Sequence, residues 1–500
     1  MHRAALILLA ALVSGPASAA QPEPIDDLQR LFIEDTVALI HPPSAEAGLR
    51  AKALMAAAAR VRARSDFAQM RRLLAEARVV LAGGTWDADA QYLAALAPQP
   101  RHVVFDPTQP NEVRVALSYP AKPAAPAEVQ PVYRAHAAAA GSAPVEYDRA
   151  ADLPDGAYDL VLRVTRGGTT IGTSGSVRVF ARRGVADDLA RIAGRSSRLK
   201  LSPALAASLA WPGNLAATLD DRSRQAADFD WPAMLARTET LLAEAGAGRN
   251  PLASAKGLQE RHYASKVSHR IEPYKLFVPE AWDGKAALPL VVMLHGSNGD
   301  HNRPFASGRA VDQARARGWA VLAPMGYSPN SGWGNHMPVV LANGTMPEPR
   351  PSTIAGKVLP RNGVNPEPAE MDVLDALADV QAHYPIDKRR IYLAGNSMGG
   401  EGTWYLGERH PRLWAAIAPG AGAIDPAGYP YRRLGKLPVM AVHGDADPII
   451  SFAASADMIS RLNKAGGKGE LLRVSGGGHS SFDTVLPQIF DFFAKQERTP

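Results

Sequence analysis

Cysteine is absent from the 500 residues of this sequence. Its absence excludes disulfide bonds, thiol nucleophiles, thiolate metal ligands and a lipid-modified N-terminal cysteine. Membrane-length apolar runs are lacking too, because the apolar segment Ala4–Val13 is too short to span a bilayer as a permanent helix. We therefore expect no stable membrane insertion, and we expect domains that are large enough to be stable without disulfide bonds.

A strong excess of one charge is also missing. The 55 Lys and Arg residues and the 49 Asp and Glu residues leave a net charge of +6. The densest basic points, Arg60–Arg64 and Arg71–Arg72, lie in an Ala/Leu pattern with helical spacing and without interleaved aromatic residues. This pattern is typical of a solvated helix face, so we expect no nucleic-acid partner.

The first twenty residues have the composition of a secretory signal. His2 and Arg3 form a short basic region, Ala4–Val13 is the apolar core, and Ala17–Ala20 supplies small residues for cleavage. Export without any disulfide framework is typical of a bacterial periplasmic or secreted protein. The sequence therefore predicts a signal peptide over residues 1–20 and a periplasmic or secreted mature chain.

The remaining chain divides into four segments, as expected for a length that exceeds one ordinary core. Residues 21–99 have apolar residues at helical spacing, and residues 100–184 alternate as short strands do, which predicts a helical region followed by a β-sandwich-like domain. Residues 185–262 return to helical spacing as a connecting region. From residue 263 to residue 500 apolar strands alternate with helices, which predicts a doubly wound α/β domain.

Two local features refine this division. The Ala/Pro-rich segment Pro120–Pro131 is predicted to be a loop. Trp211–Asn214 and Trp231-Pro232 are predicted to break the helices of the connecting region, because each contains a proline and the first also contains a glycine.

The pentapeptide Gly395–Gly399 contains the best nucleophile candidate, Ser397. It follows the apolar run Arg390–Ala394 and precedes a helical pattern, which is the strand, turn and helix setting of a nucleophile elbow. Glycine is needed on both sides of the serine, because Cβ atoms at Gly395 and Gly399 would collide where the strand and helix pass closely. A glycine-rich turn with an incidental serine is the alternative.

A serine nucleophile needs a base and an acid that orients the base. In this arrangement the order along the chain is serine, acid, histidine, and His479 lies in the required last position after a glycine-rich loop. Two aspartates compete as the acid. Asp447 is preferred, and Asp445 is the alternative because it adjoins the strand end and could instead brace the loop. His443 is predicted to be a structural histidine.

Backbone amides complete the predicted site. The first oxyanion donor is expected from Met398, and the second from Gly296 or Ser297 in the loop after an early strand, between which the sequence does not choose. The long segment Tyr327–Asn365 is expected to form one wall of the pocket. Candidate substrate contacts, each also compatible with simple loop packing, are Trp333, Asn335, His336 and Asn396.

The motifs together resemble the α/β-hydrolase superfamily, and within it the esterase and peptidase group with polyhydroxybutyrate depolymerase-like, feruloyl-esterase-like and prolyl-oligopeptidase-like domains. The resemblance covers about Tyr263 to Gln496 and rests on Val278-Pro279, Leu288–Gly299, Tyr384–Asp387, Arg390–Tyr392, Gly395–Gly400, Gly402–Trp404, His443–Asp447 and His479. It implies a serine hydrolase in which Ser397, Asp447 and His479 form the triad. Glu401 departs from the aromatic or aliphatic residue that such proteins often carry there.

The sequence thus predicts an exported serine hydrolase that cleaves carboxylic esters through an acyl-enzyme. Its partner would be a small-molecule or polymer-derived ester, and the chemistry requires no metal and no cofactor. Two alternatives stay open: a serine peptidase of the same fold, and a non-catalytic polymer- or partner-binding protein with a vestigial hydrolase domain.

Overall fold

The protein is described by a computed structural model, which covers residues 25–62, 66–135, 144–224, 229–342, 344, 353–354, 357–358 and 367–498. The predicted signal peptide, residues 1–20, lies outside the described residues, as does most of the predicted pocket wall after residue 342. In the part of the chain that the structure describes, no helix has both the length and the apolar character needed to cross a bilayer.

The described N-terminal residues form four helices, and the first three share a core that includes Leu28, Met55 and Met70. Their bounds are α1 Ile25–Ala38, α2 Ala45–Arg62, α3 Phe67–Leu81 and α4 Ala88–Ala95. Aspartates begin two of them, since Asp66 accepts a hydrogen bond from the Gln69 amide and Asp87 accepts one from Ala90. The helical segment ends at Ala95 rather than at residue 99, because a strand begins directly at Leu96.

The β-rich region contains two sheets of unequal size. Its strands are β1 Leu96–Pro100, β2 Val104–Phe105, β3 Val113–Leu117, β4 Glu128–Ala135, β5 Glu146–Tyr147, β6 Gly156–Arg166, β7 Thr169–Thr173 and β8 Val177–Ala181. One sheet has the order β2-β8-β6-β4-β5 with β7 also paired to β6, and β1 and β3 form a separate antiparallel ribbon. The ribbon packs on the larger sheet through a cluster that includes Leu96 and Leu162, so the predicted sandwich has one broad and one narrow layer.

The loop predicted over Pro120–Pro131 extends too far, because its last residues, from Glu128 on, belong to β4. Pro131 pairs with Leu162 of β6, while β5 pairs with β4 only at Tyr133 and Arg134. Among the described residues, no strand pairs with β4 at Pro131 on the side away from β6, and a residue without an N–H is tolerated there.

Three helices connect the β-rich region to the C-terminal domain: α5 Val185–Ser196, α6 Pro203–Asp220 and α7 Trp231–Gly246. The predicted break at Trp231-Pro232 is the start of α7, with proline in the first turn. The predicted break at Trp211–Asn214 is wrong, since α6 continues through Pro212. Burial of Leu209, Trp211 and Leu215, at about 1.5–3 kcal/mol each, outweighs the roughly 3 kcal/mol that an interior proline costs.

The C-terminal part confirms the doubly wound α/β prediction. Its strands are β9 Gly257–Ala264, β10 Ile271–Val278, β11 Leu288–Leu294, β12 Ala320–Pro324, β13 Thr353–Ile354, β14 Lys357–Val358, β15 Ile386–Asn396, β16 Ala416–Gly420, β17 Pro438–Gly444 and β18 Lys468–Val474. Its helices are α8 Arg309–Arg317, α9 Pro368–His383, α10 Met398–Arg409, α11 Phe452–Lys464 and α12 Leu486–Ala494. The domain begins earlier than residue 263, because β9 starts at Gly257.

Eight of these strands form one sheet in the order β18-β17-β16-β15-β11-β12-β10-β9. Strand β10 is antiparallel to both β9 and β12, and all the other neighbours run parallel. Successive residues of β11 enter opposite layers: Leu290 and Val292 pack with α9, whereas Val291 and Met293 pack with α12. Helices on both faces thus explain why this strand is apolar throughout.

A buried ion triad links the connecting region to this sheet. The carboxylate of Glu272 lies 3.0 Å from Arg224 and 2.9 Å from Arg270, and all three side chains are almost fully buried. Burial alone would raise the pKa of Glu272, but the two guanidinium charges outweigh it and lower the pKa. The charge on each partner is therefore compensated within the protein.

Candidate active site

Ser397 lies at the sharp turn between β15 and α10. Its backbone has φ 59° and ψ −123°, a combination that L-residues rarely adopt. The turn is held by the Ser397 amide, which donates to the Gly420 carbonyl at 2.8 Å. A Cβ atom at Gly395 would lie 2.6 Å from the Gly399 oxygen, and one at Gly399 would lie 2.3 Å from the Leu294 oxygen. The collision predicted from the sequence therefore exists in the structure, and it requires glycine on both sides.

A chain of hydrogen bonds runs from Ser397 to a buried carboxylate. The Ser397 Oγ lies 2.9 Å from Nε2 of His479, and Nδ1 of His479 lies 2.8 Å from Oδ2 of Asp447. With Nδ1–H donating to the carboxylate, Nε2 is left to accept the serine proton. The structure thus brings together the three residues that the sequence selected, from three separate loops at the carboxyl ends of β15, β17 and β18.

Two backbone amides orient the Asp447 carboxylate in addition to His479. Its Oδ1 accepts hydrogen bonds from the amides of Ile449 at 2.8 Å and Ile450 at 3.1 Å. Its side chain is fully buried, which alone would raise the pKa of this carboxyl. The hydrogen bonds from His443, His479 and the Ile449 amide outweigh burial and hold the pKa well below its usual range. Asp447 therefore stays ionised beneath His479.

His443 is a second histidine on the same carboxylate, a contact that sequence reasoning missed. Its Nε2 lies 3.1 Å from Asp447 Oδ2, and its Nδ1 lies 2.7 Å from the Ser455 hydroxyl of α11. The ring is buried, as expected of the structural histidine that was predicted. The four-residue spacing from His443 to Asp447 was a signal, but spacing alone could not show which way either side chain points.

Asp445 has a different role from Asp447. Its carboxylate accepts hydrogen bonds from Arg473 Nε and from the Gly476 amide, each at 2.7 Å. The Arg473 hydrogen bond is the largest of the effects that lower the pKa of Asp445. Asp445 thus fastens the loop that carries His479, which is the bracing alternative that the sequence had left open.

The predicted oxyanion loop lies beside the serine. Met398 is the first residue of α10, where a helix leaves its amide without an intrahelical acceptor. A Cβ atom at Gly296 would lie 3.5 Å from the Cβ of Ser397, so this backbone closely approaches the nucleophile candidate. The amide of Asn298 is already engaged by Pro329 and Asn330. Gly296 and Ser297, between which the sequence did not choose for the second donor, both line the cavity described next.

A cavity of about 480 Å³ opens above Ser397 and His479. Apolar side chains from two loops form much of its lining, and they are Met337, Val339, Leu341, Ile449 and Ile450. Charged groups line it as well, namely Arg303, Glu401 and Asp483. Glu401, which the sequence marked as a polar departure, is therefore a cavity residue although it is only 2% exposed.

The four candidate substrate contacts separate into two pairs. Asn335 and Asn396 line the cavity, and Asn396 Nδ2 also donates to the His479 carbonyl at 3.1 Å, which holds the histidine loop. Trp333 and His336 do not line the cavity, so the structure corrects their prediction as substrate contacts. Trp333 is completely buried and donates its indole N–H to the His295 carbonyl at 3.1 Å. His336 lies 2.8 Å from Glu367 and outside the cavity lining. Loop packing accounts for both.

Part of this chain is similar to known proteins. Residues 364–497 match the family described as Phospholipase/Carboxylesterase. A protein of Nocardia uniformis subsp. tsuyamanensis named "Putative esterase NocK" is 28% identical over 192 residues, which are 37% of this chain and 48% of that protein. The chain thus spans about half the length of this curated relative.

Two solved structures are each similar to about half of the chain. A thermostable esterase has 27% identity and a TM-score of 0.39, covering 48% of this chain and 63% of its own. An S-formylglutathione hydrolase from Agrobacterium tumefaciens has 18% identity and a TM-score of 0.36, covering 48% of this chain and 96% of its own. Residues 364–497 are thus similar to the Phospholipase/Carboxylesterase family, and the C-terminal part of the chain has the α/β-hydrolase fold.

Proposed function

We propose that this chain is an exported serine hydrolase that cleaves carboxylic esters through an acyl-enzyme. The observation that carries the proposal is the hydrogen-bonded chain from Ser397 through His479 to Asp447 at the floor of an open cavity. The carboxylesterase description of the matching family supports ester rather than amide chemistry. A cavity of about 480 Å³ suits a small ester or the end of a polymer-derived one.

Acylation begins with proton transfer from Ser397 to His479. As Ser397 Oγ attacks the ester carbonyl carbon, Nε2 of His479 takes the hydroxyl proton across the 2.9 Å hydrogen bond. Asp447 holds Nδ1–H in place and stabilises the imidazolium that forms. The amides of Met398 and of Gly296 or Ser297 stabilise the negative charge that develops on the carbonyl oxygen.

The tetrahedral intermediate then collapses. The bond between the carbonyl carbon and the alcohol oxygen breaks, and His479 returns its proton to that oxygen, so that a neutral alcohol leaves and the acyl group stays on Ser397. In the second half-reaction His479 removes a proton from water, whose oxygen attacks the acyl carbon. The serine leaves with the proton from His479, and the carboxylic acid product is released.

The reaction is tested by comparing p-nitrophenyl acetate and butyrate with p-nitroanilides of short peptides. We expect the full chain to hydrolyse the esters, and we expect Ser397→Ala to lower kcat by about 10⁶-fold because the nucleophile is removed. Ser480→Ala is the matched control, since Ser480 lines the same cavity without contacting His479 Nε2. Turnover of the anilides alone would indicate a peptidase, and turnover of neither in the folded protein would indicate a binding protein.

The choice of acid is tested with two aspartate variants of equal chemistry. Asp447→Asn should lower kcat for p-nitrophenyl acetate by about 10³–10⁴-fold, because an amide no longer fixes the tautomer or stabilises the imidazolium. Asp445→Asn should stay within about threefold of the parent, since the asparagine oxygen can still accept the Gly476 amide and the lost ion pair is with the exposed Arg473. An unchanged rate in Asp447→Asn contradicts its assignment.

Export is tested on the full chain expressed in a bacterium. The intact mass of the periplasmic or secreted protein should correspond to a chain that starts at Gln21, because Ala17–Ala20 is the cleavage region. A variant with Leu8→Arg and Leu9→Arg, which interrupts the apolar core, should stay uncleaved in the cytoplasm. Recovery of the parent chain with residues 1–20 intact would contradict export through this segment.

A further inference from the structure

The cavity above Ser397 has a wall that does not belong to the hydrolase domain. Phe32, Thr36 and Val37 of α1 line the same cavity as Ser397 and His479. They lie more than 300 residues before the family match, which covers residues 364–497. A helix from the N-terminal region therefore adds side chains to the site that the C-terminal domain builds.

The position of α1 is determined by its contacts with the other N-terminal helices. Leu28 is completely buried in the core of the N-terminal helices. Arg78 of α3 donates to Asp35 at 3.1 Å and to Glu34 at 2.7 Å, and so ties α1 to α3. Phe32 lies four residues after Leu28 and also packs against that core. The helix is thus anchored on α3, and Phe32, Thr36 and Val37 near its end line the cavity.

The contribution of α1 to the cavity is apolar. Phe32 and Val37 have no polar atoms in their side chains, and the Thr36 hydroxyl already donates to the Phe32 carbonyl at 2.8 Å. Val37 is 44% exposed although it is β-branched and apolar. The apolar residues Val339, Leu341 and Ile449 line the same cavity, while its charged residues all come from the hydrolase domain. An apolar group of a ligand would therefore remove hydrophobic surface from water on both the α1 and the loop walls.

We propose that α1 is the specificity wall of this esterase site, which selects esters with a medium-length apolar group and limits how long that group can be. The inference rests on the proposed function, since it concerns the substrate of the same serine. Each methylene that enters the cavity removes further apolar surface from water and so favours binding of the longer group. An octanoyl ester should therefore be a better substrate than an acetyl ester until the group meets α1.

The test uses the full chain with p-nitrophenyl acetate and p-nitrophenyl octanoate. The parent should hydrolyse the octanoate with a kcat/KM at least tenfold above that for the acetate. Val37→Trp should lower kcat/KM for the octanoate by about tenfold or more and leave the acetate within twofold. The indole would fill the part of the cavity next to α1, which the octanoyl chain enters and the acetyl group does not reach. Ala38→Trp is the matched control, since Ala38 is exposed, adjacent and outside the cavity lining, and should leave both substrates within twofold.

A second variant guards against a folding defect in the first. Thr36→Trp places the same indole one position earlier on the lining face and should reproduce the selective loss. Equal chain-length profiles in the parent, both lining variants and the control would overturn the inference while leaving the esterase proposal intact. Loss of both substrates in the parent, or their unchanged turnover in Ser397→Ala, would instead contradict the proposed function.

Discussion

The site depends on one close approach, that of β15 and α10 to the end of β11. The Gly399 backbone sits so near the Leu294 carbonyl that a Cβ atom would lie 2.3 Å from it. This contact compresses the turn and holds Ser397 at φ 59°. Such strain costs of the order of 1–3 kcal/mol and persists only where the surroundings fix it. Here the surroundings are an eight-stranded sheet whose central strands are buried on both faces.

The same approach assembles the rest of the site. Because α10 begins against the end of β11, the loop that follows β11 passes directly beside the serine, with Gly296 next to Ser397. Trp333 holds this loop through the hydrogen bond from its indole N–H to the His295 carbonyl. Asn396 holds the His479 loop from the other side. Backbone packing and these two side chains thus hold the loops of Gly296 and His479 around one serine.

Asp447 contributes buried hydrogen bonds to the same site. A fully buried carboxylate is costly unless hydrogen bonds compensate it. Asp447 receives them from two histidines and two amides, so its charge and its orientation are both determined. The contact between His443 and Ser455 extends the arrangement into α11. Removal of any one partner would leave part of this buried charge without compensation.

Sequence reasoning found the parts that depend on local chemistry and chain order. The elbow around Ser397, the preference for Asp447 and the last position of His479 follow from turn sterics and from the order of strands in this fold. It failed where tertiary contacts override local preference. Pro212 remains inside α6 because the helix is buried. Pro131 belongs to β4, which pairs there with β6 and with no described strand on its other side. Trp333 lies in a Gly-rich segment that reads as a loop, yet its side chain is completely buried in the core. No pattern in residues 25–38 indicated that α1 reaches the serine cavity.

The central claim is that Ser397 is the activated nucleophile. Peptide mass spectrometry after reaction with a fluorophosphonate measures this directly, because the reagent phosphonylates a serine that a neighbouring base activates. We expect one phosphonyl group per chain on Ser397, and none after heat denaturation or in His479→Ala. A folded, unlabelled Ser397, or a stoichiometric adduct on another residue, would contradict the account.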